Sequence, residues 1–208
     1  MSFDAITDKV GRYYSGRLRE HGTTARGVDW NSEESQTLRF AQLAKILPTS
    51  EAYSVVDYGC GYGALVEFLE KQGDGAGFDY QGFDISRDMV DQARRDHGGT
   101  HQRFTTSVGE VKQADFALAS GIFNVKLDTQ IDDWTEYVMH TLEHLDRLGG
   151  RGFAFNMLTS YSDADRMRAD LYYGDPCHFF DHCKRTFSKQ VALLHDYGLY
   201  EFTILVRK

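Results

Sequence analysis

Residues 55–63 read Val55-Val56-Asp57-Tyr58-Gly59-Cys60-Gly61-Tyr62-Gly63, a stretch whose residue types and spacing together specify a binding chemistry. Two β-branched residues, an acid and three alternating glycines describe a buried strand that stops abruptly and turns into a helix over 64–72, with Gly73 as its C-terminal stop. Without Cβ atoms the glycines allow a tight turn and let a ligand lie against bare backbone, beside the positive end of the helix. Downstream, Tyr80-Gln81-Gly82-Phe83-Asp84 reads as a short strand that again ends in an acid. Ser86 follows as a helix N-cap, with Asp88 in the first turn of a helix over 89–95.

The first motif resembles that of the class I (Rossmann-like) S-adenosylmethionine-dependent methyltransferases, apolar-apolar-Asp-x-Gly-x-Gly-x-Gly. A dinucleotide loop uses G-x-G-x-x-G, with its third glycine one residue later and a pyrophosphate to cradle. Ala64 satisfies the looser form of that fingerprint, so the glycines alone leave both readings open. Asp57 favours the methyltransferase. The resemblance places it near the amino acid end of the cofactor, where an ammonium needs an acceptor and a pyrophosphate would be repelled. Both nucleotide-binding families set an acid about 20 residues beyond the glycine loop, where two oxygens accept bonds from the ribose hydroxyls, and Asp84 fits that place. The resemblance therefore implies a cofactor site, for S-adenosylmethionine and its product S-adenosylhomocysteine, made by Asp57, Gly59, Cys60, Gly61, Gly63, Asp84, Ile85 and Ser120. Arg39 joins this set as a partner for the methionine carboxylate, since an arginine fork suits one and related enzymes sometimes supply it from a helix before the loop. A solvated helix-face arginine is the competing reading.

The elements that must position these groups alternate between strand and helix as a doubly wound sheet requires. A third strand is expected around 102–106 and a fourth over 115–121. Trp134, Tyr137, Val138, Thr141, Leu142, Leu145 and Leu148 recur at helical spacing up to Gly149-Gly150, and a fifth strand follows over 152–158. Asp175-Pro176 supplies an N-cap and first-turn proline for a further helix. Residues 191–197 and 200–207, around Gly198, read as an antiparallel hairpin, although Ser188 with Val191, Leu194 and Tyr197 also fits a capped helix. The expected fold is α/β: a doubly wound, mostly parallel seven-stranded sheet with a C-terminal antiparallel hairpin and an N-terminal helical lid.

One domain over 1–208 is expected, with an N-terminal helical or lid segment (1–51) and a Rossmann-like core (52–208) carrying an insertion over 160–188. Asn31 and Glu34 have capping-box spacing, and Phe40, Leu43, Ala44 and Leu47 form the stripe of a helix that Pro48 follows. Small-molecule methyltransferases often fold such a segment over the cofactor. On that habit Tyr13, Tyr14, His21, Trp30 and Arg39 are candidates, each equally suited to ordinary packing or exposure. Because every expected strand lies after residue 52, removing 1–30 is expected to leave the sheet folded.

Open α/β sheets bind ligands outside the carboxyl ends of their strands, so the acceptor is expected near Ser120, Phe123, Asn124 and Asn156, with Trp30 and Tyr172 as cover. The sulfonium carries its own leaving group, so a general base is needed only for a protonated acceptor. His21, His195 and Tyr13 are the side chains to test for it. His178 and His182 share a helix face, but Cys177 and Cys183 point well round the helix from one another, and no metal is expected.

The net charge of −8 argues against a nucleic-acid substrate and favours a small-molecule methyl acceptor. The three cysteines form no disulfide framework, and with no membrane-length apolar run and no signal-peptide pattern a cytoplasmic location is expected, without a membrane partner. The oligomeric state is open. Two other functions fit less well: an NAD(P)-dependent oxidoreductase, disfavoured by Asp57, and a non-catalytic methyltransferase-fold binding or interaction protein.

Overall fold

The computed structural model describes residues 2–72, 77–99 and 102–208. Gly73, expected to end the first helix after the glycine loop, lies outside the described residues. The chain opens with α1 (Phe3–His21), a 3-10 turn (Ala25–Val28) and α2 (Glu33–Ala44). It then alternates β1 (Tyr53–Tyr58), α3 (Ala64–Gln72), β2 (Phe78–Phe83), α4 (Arg87–His97), β3 (Gln102–Thr105) and β4 (Ala114–Ala119). After these come α5 (Ile131–Leu148), β5 (Gly149–Leu158), α6 (Pro176–Thr186), β6 (Gln190–Leu194) and β7 (Glu201–Arg207).

The sheet has seven strands in the order β3-β2-β1-β4-β5-β7-β6. β1 to β5 pair in parallel, and β7 is antiparallel to both β5 and β6, so residues 190–207 form the expected hairpin rather than a helix. Strand alternation divides the core in two. Val56, Ala117 and Ala119 face Trp134, Val138 and Leu142 of α5, while Val55, Phe116 and Leu118 face Leu43, Leu65, Val66 and Val90 of α2, α3 and α4. The order reverses between β1 and β4, which opens a crevice at their carboxyl ends.

Local chemistry sets the helix starts. Ser86 caps α4 by accepting from the Met89 N–H, and Asp175 caps α6 by accepting from Cys177 and His178, with Pro176 in the first turn. At α2 the expected Asn31 cap is corrected by one residue: Ser32 has the extended backbone of a cap and accepts from the Ser35 N–H. β5 starts three residues earlier than expected, because α5 stops directly at Gly149 and the chain turns into the sheet through Gly152, whose φ is 154°.

α1 fits the expected helical N-terminal segment but does more than cover the site. It is a continuous helix of 19 residues, and Ile6, wholly buried, and Val10 join the core beside Val56, Phe123 and Trp134. A segment that buries such residues against the sheet contributes stability, so the sheet is not independent of residues 1–30. Among the described residues, no helix is long and apolar enough to cross a membrane.

Candidate active site

β1 ends at Tyr58, and the glycines that follow all have positive φ: 87° at Gly59, 54° at Gly61 and 94° at Gly63. Residues with a Cβ rarely adopt this region, so the loop's shape depends on their absence. The Gly59 and Cys60 N–H groups both donate to the Phe83 carbonyl, at 2.7 and 2.9 Å, which ties the loop to the end of β2. One residue on, Asp84 accepts from the Gly61 N–H through Oδ2 (2.9 Å) and from the Ser86 N–H through Oδ1 (2.8 Å). Its carboxyl thus joins the glycine loop to the start of α4. Each oxygen keeps further lone-pair capacity for a ligand hydroxyl.

These groups line one cavity, enclosing about 830 Å³ with its open mouth counted. Of the expected cofactor residues, Asp57, Gly59, Cys60, Gly61, Asp84, Ile85 and Ser120 lie on its wall. Gly63 does not. A Cβ there would meet the His97 ring at 2.6 Å, so its role is to let α3 pass close to α4. Arg39 also lies off this wall; its Nε donates to Glu201 Oε2 at 2.7 Å, and its guanidinium lies 3.9 Å from the Trp30 ring centre.

Burial dominates the electrostatics. Asp57, 2% exposed, accepts from the Tyr80 hydroxyl at 2.6 Å. Removal from water pushes its pKa up to about 7, against the lowering effect of that bond and with some help from the Asp84 charge. Burial likewise raises Asp84 to about 6, opposed by its two backbone bonds. The Cys60 thiol is pushed well upward by burial and then by both carboxylates, so it stays neutral and acts as a small packing group.

The far wall comes from the N-terminal segment: Val10 and Tyr14 of α1, with Val28 and Trp30 beyond them. The indole lies on Gly121, where a Cβ would meet its edge at 2.2 Å. Val28 sits on the glycine loop, its Cγ1 3.3 Å from where a Gly61 Cβ would be. Tyr13 donates to Asp29 Oδ2 (2.9 Å) and Arg17 bonds Asp29 Oδ1 (3.1 Å), which straps this cover to α1.

A second cavity adjoins the first and shares Tyr14, Val28, Trp30 and Gly121 with it. Asn124 lines it, as does Tyr173 from the insertion. Asn156, wholly buried on β5, accepts from the Gly121 N–H at 2.6 Å and holds the end of β4 in place rather than facing either cavity. Phe123 and Tyr172 belong to the core, Phe123 receiving the Trp134 indole N–H on its carbonyl and Tyr172 pairing its hydroxyl with Thr135.

The three general-base candidates lie elsewhere. His21 ends α1 beside Glu20, His195 is exposed between Tyr161 and Phe202, and Tyr13 is committed to Asp29; none lines either cavity. The tyrosines that do line the first cavity include Tyr14 and Tyr137. Burial raises both, Tyr137 to about 12, so at neutral pH they are donors and not bases. Sequence reasoning did not select Tyr137, Gln36 or Met89; Tyr137 carried a signal only as part of the α5 stripe. Among the described residues, no group of three or more His, Cys, Asp or Glu side chains is placed to hold a metal.

The family described as a methyltransferase domain matches residues 30–200. A Mycobacterium tuberculosis (strain ATCC 25618 / H37Rv) protein named "Putative methyltransferase Rv1506c" is 50% identical over 165 residues, covering 79% of this chain and 98% of that protein. Magnesium protoporphyrin IX methyltransferase from Synechocystis PCC 6803, solved with bound SAH, has a TM-score of 0.66 at 16% identity over the whole of both chains. DhpI, solved as a complex with SAM and HEP, has a TM-score of 0.66 at 14% identity, again over both whole chains.

Proposed function

The chain belongs to the methyltransferase-domain family, and from that premise we propose that it transfers a methyl group from S-adenosylmethionine to a small-molecule acceptor. One observation supports this reading above others: a glycine-loop cavity flanked by Asp57 and Asp84 opens beside a second cavity across a shared wall of Tyr14, Val28, Trp30 and Gly121. A ligand in each cavity would lie on either side of that wall, and a shift of the Trp30 ring from Gly121 would bring the two together.

The first cavity suits the cofactor. Asp84 lies where ribose hydroxyls can reach its free lone pairs, Ile85 and Met89 offer an apolar surface to the adenine, and Asp57 offers a carboxylate to the ammonium. When bound, the cofactor supplies an electrophilic methyl group on a sulfonium, with a neutral thioether as leaving group. The chain's own part is alignment and exclusion of water. Tyr14 and Trp30 close the space above the junction, while Asn156 fixes Gly121 at its base. No basic side chain need act if the acceptor atom carries a free lone pair. The cover over residues 13–30 acts as a lid, with Val28 resting on Gly61, so that its movement would widen the way in for the cofactor.

The test is transfer of label from methyl-labelled S-adenosylmethionine into a cell extract divided into small-molecule, protein and nucleic-acid fractions. Label in the small-molecule fraction, absent with an Asp84→Ala variant, is the expected result. Label confined to protein or nucleic acid would overturn the small-molecule assignment.

A further inference from the structure

We propose that the second cavity is the acceptor site and that it selects a small molecule bearing an oxyanion, a carboxylate or a phosphate, together with a hydrogen-bond donor. The inference rests on the methyltransferase reading above and adds the substrate class. On a chain of net charge −8, three arginines, Arg39, Arg166 and Arg168, line this one cavity against two acids, Asp29 and Glu201. Arg166 is exposed at the mouth, and its side chain makes no hydrogen bond or ion pair among the described residues. Arg168, also exposed, is oriented by a two-point contact with Asp170, Nε to Oδ1 at 3.1 Å and Nη2 to Oδ2 at 2.5 Å. Arg166 is thus left free by the fold, while Arg168 is held by Asp170 and keeps its remaining guanidinium N–H groups for a ligand. A guanidinium presented in this way binds oxyanions through paired, charge-assisted bonds.

The deeper part of the cavity carries the second, independent observation. Arg39 is 6% exposed and Glu201 1% exposed, and they pair through one contact only. Arg39 Nη1 and Glu201 Oε1 are both buried without a hydrogen-bond partner. Buried charged groups left unpaired are costly, and such atoms ordinarily have a partner. A ligand that reaches this pair past the Trp30 ring, bringing an anionic oxygen to Nη1 and a hydroxyl or amino hydrogen to Oε1, would satisfy both. The topology explains how the pair arises: β7 runs antiparallel to β5, so its first residue, Glu201, pairs with Leu158 at the carboxyl end of β5. That is the edge where Arg39 of α2 meets Trp30, which is also part of the wall shared with the first cavity.

The experiment is calorimetric titration of the protein saturated with S-adenosylhomocysteine, using 4-hydroxybenzoate, its neutral counterpart 4-hydroxybenzamide, and inorganic phosphate as probes. Both benzene derivatives carry the same phenol donor and nearly the same shape, and the amide replaces the anion by a neutral group that itself donates. The proposal expects at least one anion to bind about tenfold or more tighter than the amide, and that preference to fall at least about threefold in the Arg166→Gln/Arg168→Gln double variant, in which Arg39 remains. A preference for benzoate marks a carboxylate acceptor, and one for phosphate marks a phosphate ester. Both arginines are exposed, so the double variant is expected to fold, which its unfolding temperature and retained S-adenosylhomocysteine binding check. Equal affinities for anion and amide, no measurable anion binding, or an anion affinity untouched by the double variant would each overturn the proposal. Failure of S-adenosylhomocysteine itself to bind would instead remove the methyltransferase reading beneath it.

Discussion

Gly61 and Gly63 lie two residues apart and both have positive φ, yet they do different work. Gly61 lines the cavity under Val28, whereas Gly63 faces the His97 ring. Gly61→Val is therefore expected to abolish S-adenosylhomocysteine binding while the domain still folds. Gly63→Ala is expected to lower the unfolding temperature and leave the affinity of the folded fraction within about threefold of wild type, because its methyl group strains the turn and disturbs α4 without entering the cavity. Calorimetry and thermal unfolding on both variants separate the two roles, and equal loss of affinity in both would contradict the assignment. Asp84→Ala removes ligand bonds worth about 1.5–3 kcal/mol each, so affinity should fall at least about tenfold. Asp84 also holds the Gly61 and Ser86 N–H groups, so this variant should lose stability as well.

Asp57 gives a pH dependence with a definite sign. Its carboxyl rises from 3.8 to about 7 on folding, chiefly through burial, so between those values the folded state holds the extra proton. The ligand-free protein should therefore lose stability as pH rises from about 4 to about 7, and the raised Asp84 acts in the same direction. Binding should run the opposite way. If Asp57 receives the cofactor ammonium, affinity for S-adenosylhomocysteine should strengthen as pH rises through about 7, with proton release on binding at the lower end. Titrations in buffers of different ionisation enthalpy measure that release, and affinity independent of pH from about 5 to about 8 would contradict the role given to Asp57.

At the scale of elements, legibility followed locality. The β1-loop-α3 unit, the capped starts of α4 and α6 and the β6-β7 hairpin were readable, because each rests on residues within one or two turns of one another. The extent of α1 was hidden. Gly11 and Gly16 interrupt its pattern, and Gly11 packs beside Ile85, a contact that only the tertiary fold reveals. The second cavity was legible only in part: the sequence pointed to Asn124 and Trp30 on the acceptor side, but Arg39, Arg168 and Glu201 reach it from distant parts of the chain. Buried Arg39 read as a free ligand for the cofactor because its partner lies 162 residues away. The account expects Ile6→Ala to cost about 2–5 kcal/mol, as for a fully buried aliphatic side chain, measurable by chemical denaturation. A cost under about 0.5 kcal/mol would mean that α1 is only laid over the core. The lid itself is tested by hydrogen exchange: amides over 13–30 should slow when S-adenosylhomocysteine is added, while those of β1 are slow throughout.

At the scale of the molecule, the strand order places the glycine loop, Asp84, Gly121 and Glu201 along one edge of the sheet, and the N-terminal segment closes over that edge. The antiparallel β7 brings Glu201 to this edge, and the insertion after β5 brings Arg168. Every functional claim above depends on the first cavity being a site for an adenosyl sulfonium and not for a dinucleotide. Titration of the purified protein with S-adenosylhomocysteine and, separately, with NAD measures that choice most directly. Saturable binding of S-adenosylhomocysteine at one site per chain and no measurable binding of NAD are expected. A folded protein that binds NAD, or that gives no saturable signal with S-adenosylhomocysteine, would contradict it.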